Sequence, residues 1–369
     1  MSYLIYELFY SPDSSFSFLR LLSYISVRAI MAFVIAFLIS LLSGRKIITI
    51  LFYKGVKEEI RKYEEIASSS KKGTPTMGGI LIIISILLPV ILCCNLASRY
   101  VQLLIGALLW FGLIGASDDI LKIKMRKGGK GLSRSKKLLL QGLFGLILGL
   151  IILNRNTTPY TEEIMFNLYI PFYKKVLFNL GWLYLPFIIF VIISISNAVN
   201  FADGLDGLAI VPSTTTAAVY GVFAYILGNF NYSRYLLFDH FKGSGEVTIF
   251  CAAVIGAGLG FLWYNAYPAQ VFMGDTGSQA LGGIIGTMAV LLKQEFLFLI
   301  AGGIFLAEAF SVLIQERIGI SKIGRRIFYR APLHHTFQHR GIAEPTVVVR
   351  FWIISIFLAL ISIVTLKIR

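Results

Sequence analysis

Long apolar runs separated by short polar stretches dominate this chain. Ten of them are long enough to be spanning helices: roughly 19–42, 77–95, 100–117, 138–153, 178–197, 207–228, 247–266, 278–292, 296–315 and 347–366. A bilayer core takes about 20 apolar residues as a helix and only about 10 as a tilted strand, so runs of this length predict helices rather than a barrel. The eighth run is short and glycine-rich, which predicts a tilted or irregular segment. The first is too long for a signal-peptide core and has no obvious small-residue cleavage site, so it is expected to be the first spanning helix. Segment 154–177 is polar, aromatic and β-branched and suits a small hairpin, and 229–246 suits a short exposed loop. No linker, repeat or low-complexity tract interrupts the pattern, which predicts a single integral membrane domain over residues 1–369.

The polar stretches orient the runs. Loop 43–76 carries eight Lys or Arg, loop 118–137 another eight and loop 316–346 six, together 22 of the 34 in the chain. The positive-inside rule puts these loops in the cytoplasm. An even number of crossings then leaves both termini extracytoplasmic. Alternation adds 197–208 and 265–277 to the cytoplasmic side, although neither contains Lys or Arg. The expectation is an all-α polytopic membrane protein of about ten transmembrane helices, with a cytoplasmic active-site cleft.

Composition agrees: 57% of residues are hydrophobic and 14% charged, with mean hydropathy +0.77, where a soluble domain carries about 25% charged residues. A net charge of +15 suits anionic membrane lipid and phosphorylated substrates. No nucleic-acid motif accompanies it, so no nucleic-acid partner is expected. Cys93, Cys94 and Cys251 lie in or at the end of apolar runs, without disulfide or zinc spacing, and suit packing.

The chemistry-bearing residues gather in the polar stretches. Asn197, Asn200, Asp203 and Asp206 recur every third residue between two apolar runs, with Gly204 and Gly207 among them. On a helix each such step turns about 300°, so the four fan over roughly half a cylinder. Carboxylates facing lipid cost roughly 2.5–3.5 kcal/mol each at the bilayer centre, so these are expected to line a wet mouth. A plain cap and turn between helices is the alternative. Lys71 and Lys72 lead into Gly73-Thr74-Pro75-Thr76-Met77-Gly78-Gly79, a helix start that suits a phosphate, or else a pair of snorkelling lysines. Asp118 and Asp119 precede Lys122, Lys124, Arg126, Lys127 and Lys130. Adjacent acids beside cations suit a divalent ion and a diphosphate, or else a stop-transfer signal with incidental acids. In Asn265 to Ser278, Asp275 sits between Gly274 and Gly277 just where a helix begins, which makes it either an N-cap or a metal ligand. Phe272 stacks a base or packs. His334, His335 and His339 lack zinc spacing and suit an anionic substrate better. Glu308 is an acid inside the ninth run, there for function or for a buried hydrogen bond.

In this order the motifs resemble the polyprenyl-phosphate N-acetylhexosamine-1-phosphate transferase superfamily and, within it, the phospho-N-acetylmuramoyl-pentapeptide transferases. The resemblance rests on Lys-x-Gly-Thr-Pro-Thr-Met-Gly-Gly at 71–79, Asp118-Asp119, Gly-Leu-Ser at 131–133 with Lys136, and the Asn-x-x-Asn-x-x-Asp-Gly-Leu-Asp-Gly-Leu stretch at 197–208. It continues through Phe-Met-Gly-Asp-Thr-Gly-Ser at 272–278, Gln315, Pro-Leu-His-His at 332–335 and Arg350-Phe-Trp-Ile-Ile, covering nearly the whole chain. One departure stands out: Thr336 and Gln338 replace the third histidine and the glutamate usual in the family.

The resemblance implies ten helices in a bacterial cytoplasmic (inner) membrane, a Mg2+ cofactor and a homodimer. It implies that undecaprenyl phosphate attacks UDP-N-acetylmuramoyl-pentapeptide to give lipid I and UMP, a step of peptidoglycan synthesis. Asp275 then corresponds to the Mg2+ ligand, joined by Asp203, and Asp118 and Asp119 to the catalytic pair. Asp206, Asn265, Phe272 and Gln315 fall on the nucleoside side of the pocket. Lys72, Lys122, Lys136, Asn200, Asp203 and His335 fall on its polar lining, and Thr76, Gly274 and His334 are implied to bind substrate as well. A relative using UDP-N-acetylglucosamine is the nearest rival, and the Thr-Pro-Thr-Met-Gly-Gly and Pro-Leu-His-His forms argue against it. A secondary transporter would show internal symmetry and polar groups at mid-membrane, and the sequence has neither.

Overall fold

Each of the ten apolar runs is largely helical. The computed structural model describes Tyr6 and residues 17–56, 73–124, 131–173 and 176–368. In order the helices are α1 (Ile25–Tyr53), α2 (Gly79–Cys93), α3 (Arg99–Lys124), α4 (Arg134–Leu153), α5 (Tyr184–Ala202), α6 (Ile210–Gly228), the short α7 (Phe230–Tyr235), α8 (Gly245–Asn265), α9 (Gly274–Leu291), the short α10 (Phe298–Ala301), α11 (Gly303–Leu313), α12 (Leu333–His339) and α13 (Glu344–Val364). Helices make up 72% of the chain. The β structure among the described residues is one small antiparallel pair, β1 (Asn167–Leu168) with β2 (Phe178–Asn179), close to the expected hairpin.

Seven helical segments are each long and apolar enough to cross a bilayer: α1, α3, α4, Gly181–Ala202 (α5 with the turn before it), α6, α8 and α13. The other three runs fall short for separate reasons. α2 is only 15 residues long. The ninth run breaks at Gly302 into α10 and α11, then widens into a π-helical stretch over Ile314–Ile323. α9 is too polar to pass as a lipid-facing helix, yet it is regular rather than irregular as its glycines predicted. Every residue from Thr276 to Leu291 is buried, against α2, α3, α5 and α6. Protein rather than lipid surrounds it, so its low hydropathy carries no cost. The loop predicted at 229–246 contains α7, whose start Asn229 caps by accepting from the backbone N–H groups of Asn231 and Tyr232.

α9 is thus the hub. α8 packs against α1, α2 and α6, and α5 packs against α4, α9 and α11. α1 and α13 are the least covered of the spanning helices, with large apolar side chains such as Ile30, Leu42, Ile353 and Phe357 exposed. In a membrane such faces meet acyl chains. Cys93, Cys94 and Cys251 are buried and form no disulfide, as expected of packing residues.

A buried ion pair joins three helices at the end of the bundle remote from the basic loops. Arg28 of α1 meets Glu246 of α8 at 2.7 and 3.1 Å and donates to the Cys93 carbonyl, while Glu246 also accepts from the Asn95 backbone N–H at 2.7 Å. Removing one partner from such a pair strands the other charge and costs about 3 kcal/mol or more. Arg28→Met is therefore expected to lower the melting temperature of the purified protein by several degrees, and Arg28→Met with Glu246→Met to recover most of it. Unchanged melting in the single variant would remove the pair from the stability of the fold.

Candidate active site

Three carboxylates from two helices converge at one end of the bundle. Asp118 and Asp119 lie near the end of α3, and Asp275 is in the first turn of α9. Each offers an oxygen within 4.8 Å of the others. Gly115 makes the approach possible: a Cβ there would sit 2.1 Å from the Asp275 carbonyl oxygen.

The adjacent acids do different jobs. Asp119 turns toward the start of α9, accepting from the Asp275 N–H at 3.1 Å and from Thr276 through both its N–H (2.9 Å) and hydroxyl (2.7 Å). It caps a helix to which it does not belong, where the N–H groups and dipole favour an anion. Asp118 turns the other way. Its Oδ1 accepts from the Leu132 N–H at 2.6 Å, and its Oδ2 faces two ammonium groups, Lys122 at 2.7 Å and Lys137 at 2.9 Å. The same lysines reach Asp275 Oδ2, at 3.1 and 2.6 Å. Asn200 of α5 completes the Asp275 environment, donating to its Oδ1 at 3.1 Å and to Ser278 Oγ at 2.7 Å.

The lysine after the Gly-Leu-Ser motif that reaches the acids is Lys137, the neighbour of the expected Lys136. Ser133 opens α4 from an extended conformation and accepts from the Lys136 N–H. One residue turns a helix by about 100°, so Lys137 points at the acids and Lys136 is exposed. Asp203, expected as a second metal ligand, lies outside the carboxylate group. It follows the last residue of α5 in a non-helical conformation, so the three-residue spacing that serves Asn200 does not carry on to it.

The other expected residues organise the walls. Segments 75–79 and 272–273 are joined by backbone bonds: Phe272 N–H to Pro75 O (2.8 Å), Gly78 N–H to Phe272 O (2.9 Å) and Gly79 N–H to Met273 O (2.9 Å). This places Thr76 beside Gly274, whose φ of 70° suits glycine, with Asp119 also adjacent. Asn265 ties two loops together, accepting from Gly207 N–H at 3.0 Å and donating to Val271 O at 2.8 Å. Asp206 does the same, its Oδ2 accepting from Ala269 N–H and its own N–H donating to Glu344. Gln315 uses Oε1 to hold the N–H groups of Ile327 and Phe328, both at 3.0 Å. Lys72 lies outside the described residues.

His334 and His335 sit in α12 in different surroundings. His334 is fully buried with Nδ1 3.3 Å from Glu308, which also accepts the Leu333 and His334 N–H groups. Glu308 is thus a buried hydrogen-bonding acid, as the structural reading of the sequence expected. A Cβ on Gly204 would collide with the His334 ring at 2.1 Å, so the 197–208 stretch needs its glycine there. His335 is half-buried and shares a 3.0 Å hydrogen bond with Gln338.

Carboxylate oxygens are hard donors of the kind Mg2+ prefers; Asp118 and Asp275 are close enough to share one ion, with Asp119 beside them but bound to the start of α9. Three carboxylates against two ammonium groups leave negative charge for a cation to neutralise. The donor set fits.

Fold and site together define a membrane-embedded transferase: residues 101–293, which carry the acids and both lysines, match the model of glycosyl transferase family 4. Residues 71–83 match signature 1 of phospho-N-acetylmuramoyl-pentapeptide-transferase. Proteins with that name from Citrifermentans bemidjiense, Desulfosudis oleivorans and Syntrophus aciditrophicus are 43%, 44% and 45% identical to it over 99% of this chain and the whole of their own length. The chain belongs to the phospho-N-acetylmuramoyl-pentapeptide-transferase family.

Burial pushes the His335 imidazole down to about 4, and the adjacent His334 adds to the effect. The unfolded chain takes up this proton near pH 6.5 and the folded protein only near 4, so stability falls as pH drops through that window. The melting temperature of His335→Gln is expected to depend less on pH between 6.5 and 4 than that of the parent. Equal slopes would show that His335 is protonated alike in both states.

Proposed function

We propose that the chain transfers phospho-N-acetylmuramoyl-pentapeptide from its UDP-linked donor to undecaprenyl phosphate, giving lipid I and UMP for peptidoglycan synthesis. The reading includes ten crossings of a bacterial inner membrane, extracytoplasmic termini, a cytoplasmic site and a homodimer. Its main support is the convergence of Asp118, Asp119 and Asp275 under Lys122 and Lys137 at the end of the apolar bundle, together with the family of the chain.

The reaction brings a lipid phosphate against a nucleotide diphosphate, about four negative charges in all. Positioning and neutralisation are the main work of a phosphoryl transferase. Lys122 and Lys137 each have three donors and are already directed to one spot. Asp275, with Asp118 beside it, would hold Mg2+, which supplies further neutralisation of the diphosphate oxygens. An oxygen of the lipid phosphate attacks the phosphorus that bears the sugar, and the bond from that phosphorus to the bridging oxygen breaks, releasing UMP. The acceptor phosphate has a second pKa near 6 and is largely deprotonated at neutral pH, so little remains for a general base to remove. Asp118 therefore orients the lipid phosphate through its lysine partners. Asp119, with both oxygens committed to α9, acts by holding Asp275 in place.

The test is UMP release from UDP-N-acetylmuramoyl-pentapeptide by the purified protein with undecaprenyl phosphate, with and without Mg2+. Asp275→Asn is expected to abolish turnover with the protein still folded. Lys137→Met should cost about 100-fold, and the exposed Lys136→Met should leave turnover close to the parent. Near-normal turnover in Asp275→Asn would remove it from the reaction, a phosphorylated Asp118 trapped with nucleotide alone would overturn the direct route, and preference for UDP-N-acetylglucosamine would reassign the donor.

A further inference from the structure

One helical turn deeper than the acids lies a second polar cluster. Gln141, Ser196 and Gln279 are fully buried and come from α4, α5 and α9. The Gln279 side-chain carbonyl accepts from Gln141 Nε2 at 2.9 Å and from Ser196 Oγ at 2.7 Å. Asn197 donates to Gln141 Oε1 at 2.7 Å. Asn197 heads the three-residue repeat of the sequence, and none of the four touches Asp118, Asp119 or Asp275 through a hydrogen bond described above.

The spacing connects this cluster to the site. Gln141 is four residues after Lys137, Gln279 four after Asp275, and Ser196 four before Asn200. Residues four apart share a helix face, one turn or about 5.4 Å along the axis. The three helices that deliver Lys137, Asp275 and Asn200 are therefore hydrogen-bonded to one another one turn below those groups. Apolar packing between such helices is non-directional and leaves their axial register loosely specified. A shared amide carbonyl that takes two donors in a water-poor interior has one good geometry.

We infer that Gln141, Ser196, Asn197 and Gln279 are positioning residues for the transfer reaction, a clamp that sets the register of α4, α5 and α9 and so the meeting of Lys137 and Asn200 with the Asp275 carboxylate. This role presupposes the reaction proposed above. The Lys137–Asp275 contact of 2.6 Å and the Asn200–Asp275 contact of 3.1 Å leave little slack: displacement by about 1 Å at such a site costs on the order of 100-fold in rate.

Two variants test this in the full-length protein by UMP release. Gln141→Leu keeps the volume and removes the side-chain hydrogen bonds to Gln279, Ser196 and Asn197, and is expected to lower kcat on the order of 100-fold with the donor KM changed less than about threefold. Ser196→Ala deletes one hydroxyl without a new contact, and should lower kcat about fivefold. Lys137→Arg supplies the second axis of a double-mutant cycle: with the cation already displaced, Gln141→Leu should cost much less than it does in the parent. A clamp that merely stabilises the fold would lower the melting temperature and give additive losses. Parent kcat in either folded variant, or full additivity in the cycle, overturns the inference. Absence of UMP release by the parent protein would instead sink the transfer reaction itself.

Discussion

A helix that begins inside protein has N–H groups with no water to accept them, and α9 meets this constraint with a carboxylate borrowed from α3. Asp119 takes the N–H groups of Asp275 and Thr276, so the start of α9 and the end of α3 are one unit. The consequence is positional: Asp275 follows the cap and is delivered beside Asp118. Two neighbouring acids in the sequence thereby divide into one that builds the site and one that faces its occupants.

Bringing three carboxylates together in a poorly hydrated place is costly unless cations accompany them. Lys122 and Lys137 do so from different elements, α3 itself and α4, and each touches both Asp118 and Asp275. A phosphate arriving between them can draw the same ammonium groups without any long movement of chain. The arrangement joins stability to electrostatics, since the two ammonium groups that offset the three acids are also the cations closest to them.

The apolar runs made the helices legible, because membrane length and hydropathy act locally along the chain. The acids were legible for a related reason: Asp118, Asp119 and Asp275 stand out against apolar surroundings. What depended on rotation about a helix axis was less so. The choice between Lys136 and Lys137 is a turn of about 100°, set by where Ser133 starts α4. The part of Asp203 depended on α5 ending at Ala202. Gln141 and Gln279 carried no signal, as single neutral amides in apolar runs whose meaning lies in each other. Arg28 and Glu246 are 218 positions apart, and nothing local links them. The regularity of α9 was not legible, because glycines weaken an isolated helix, whereas here neighbours on all sides support it.

The two departures from the family's histidine motif can be followed in the same physical terms. Thr336 is bound back onto Arg330, its hydroxyl donating to the Arg330 carbonyl, and so closes the turn that leads into α12. Gln338 gives His335 a neutral partner where the family has an acid. The acid beside this histidine pair is Glu308, which approaches from α11, lies 3.3 Å from His334 Nδ1 and accepts the first N–H groups of α12. The pair therefore divides as the two aspartates do. His334, fully buried and wedged against Gly204, fixes α12 to the 197–208 stretch. His335, half-buried and neutral near pH 7 because burial depresses its pKa, is left as a hydrogen-bonding group rather than a fixed charge. The positive charge next to Asp118 and Asp275 comes from Lys122 and Lys137.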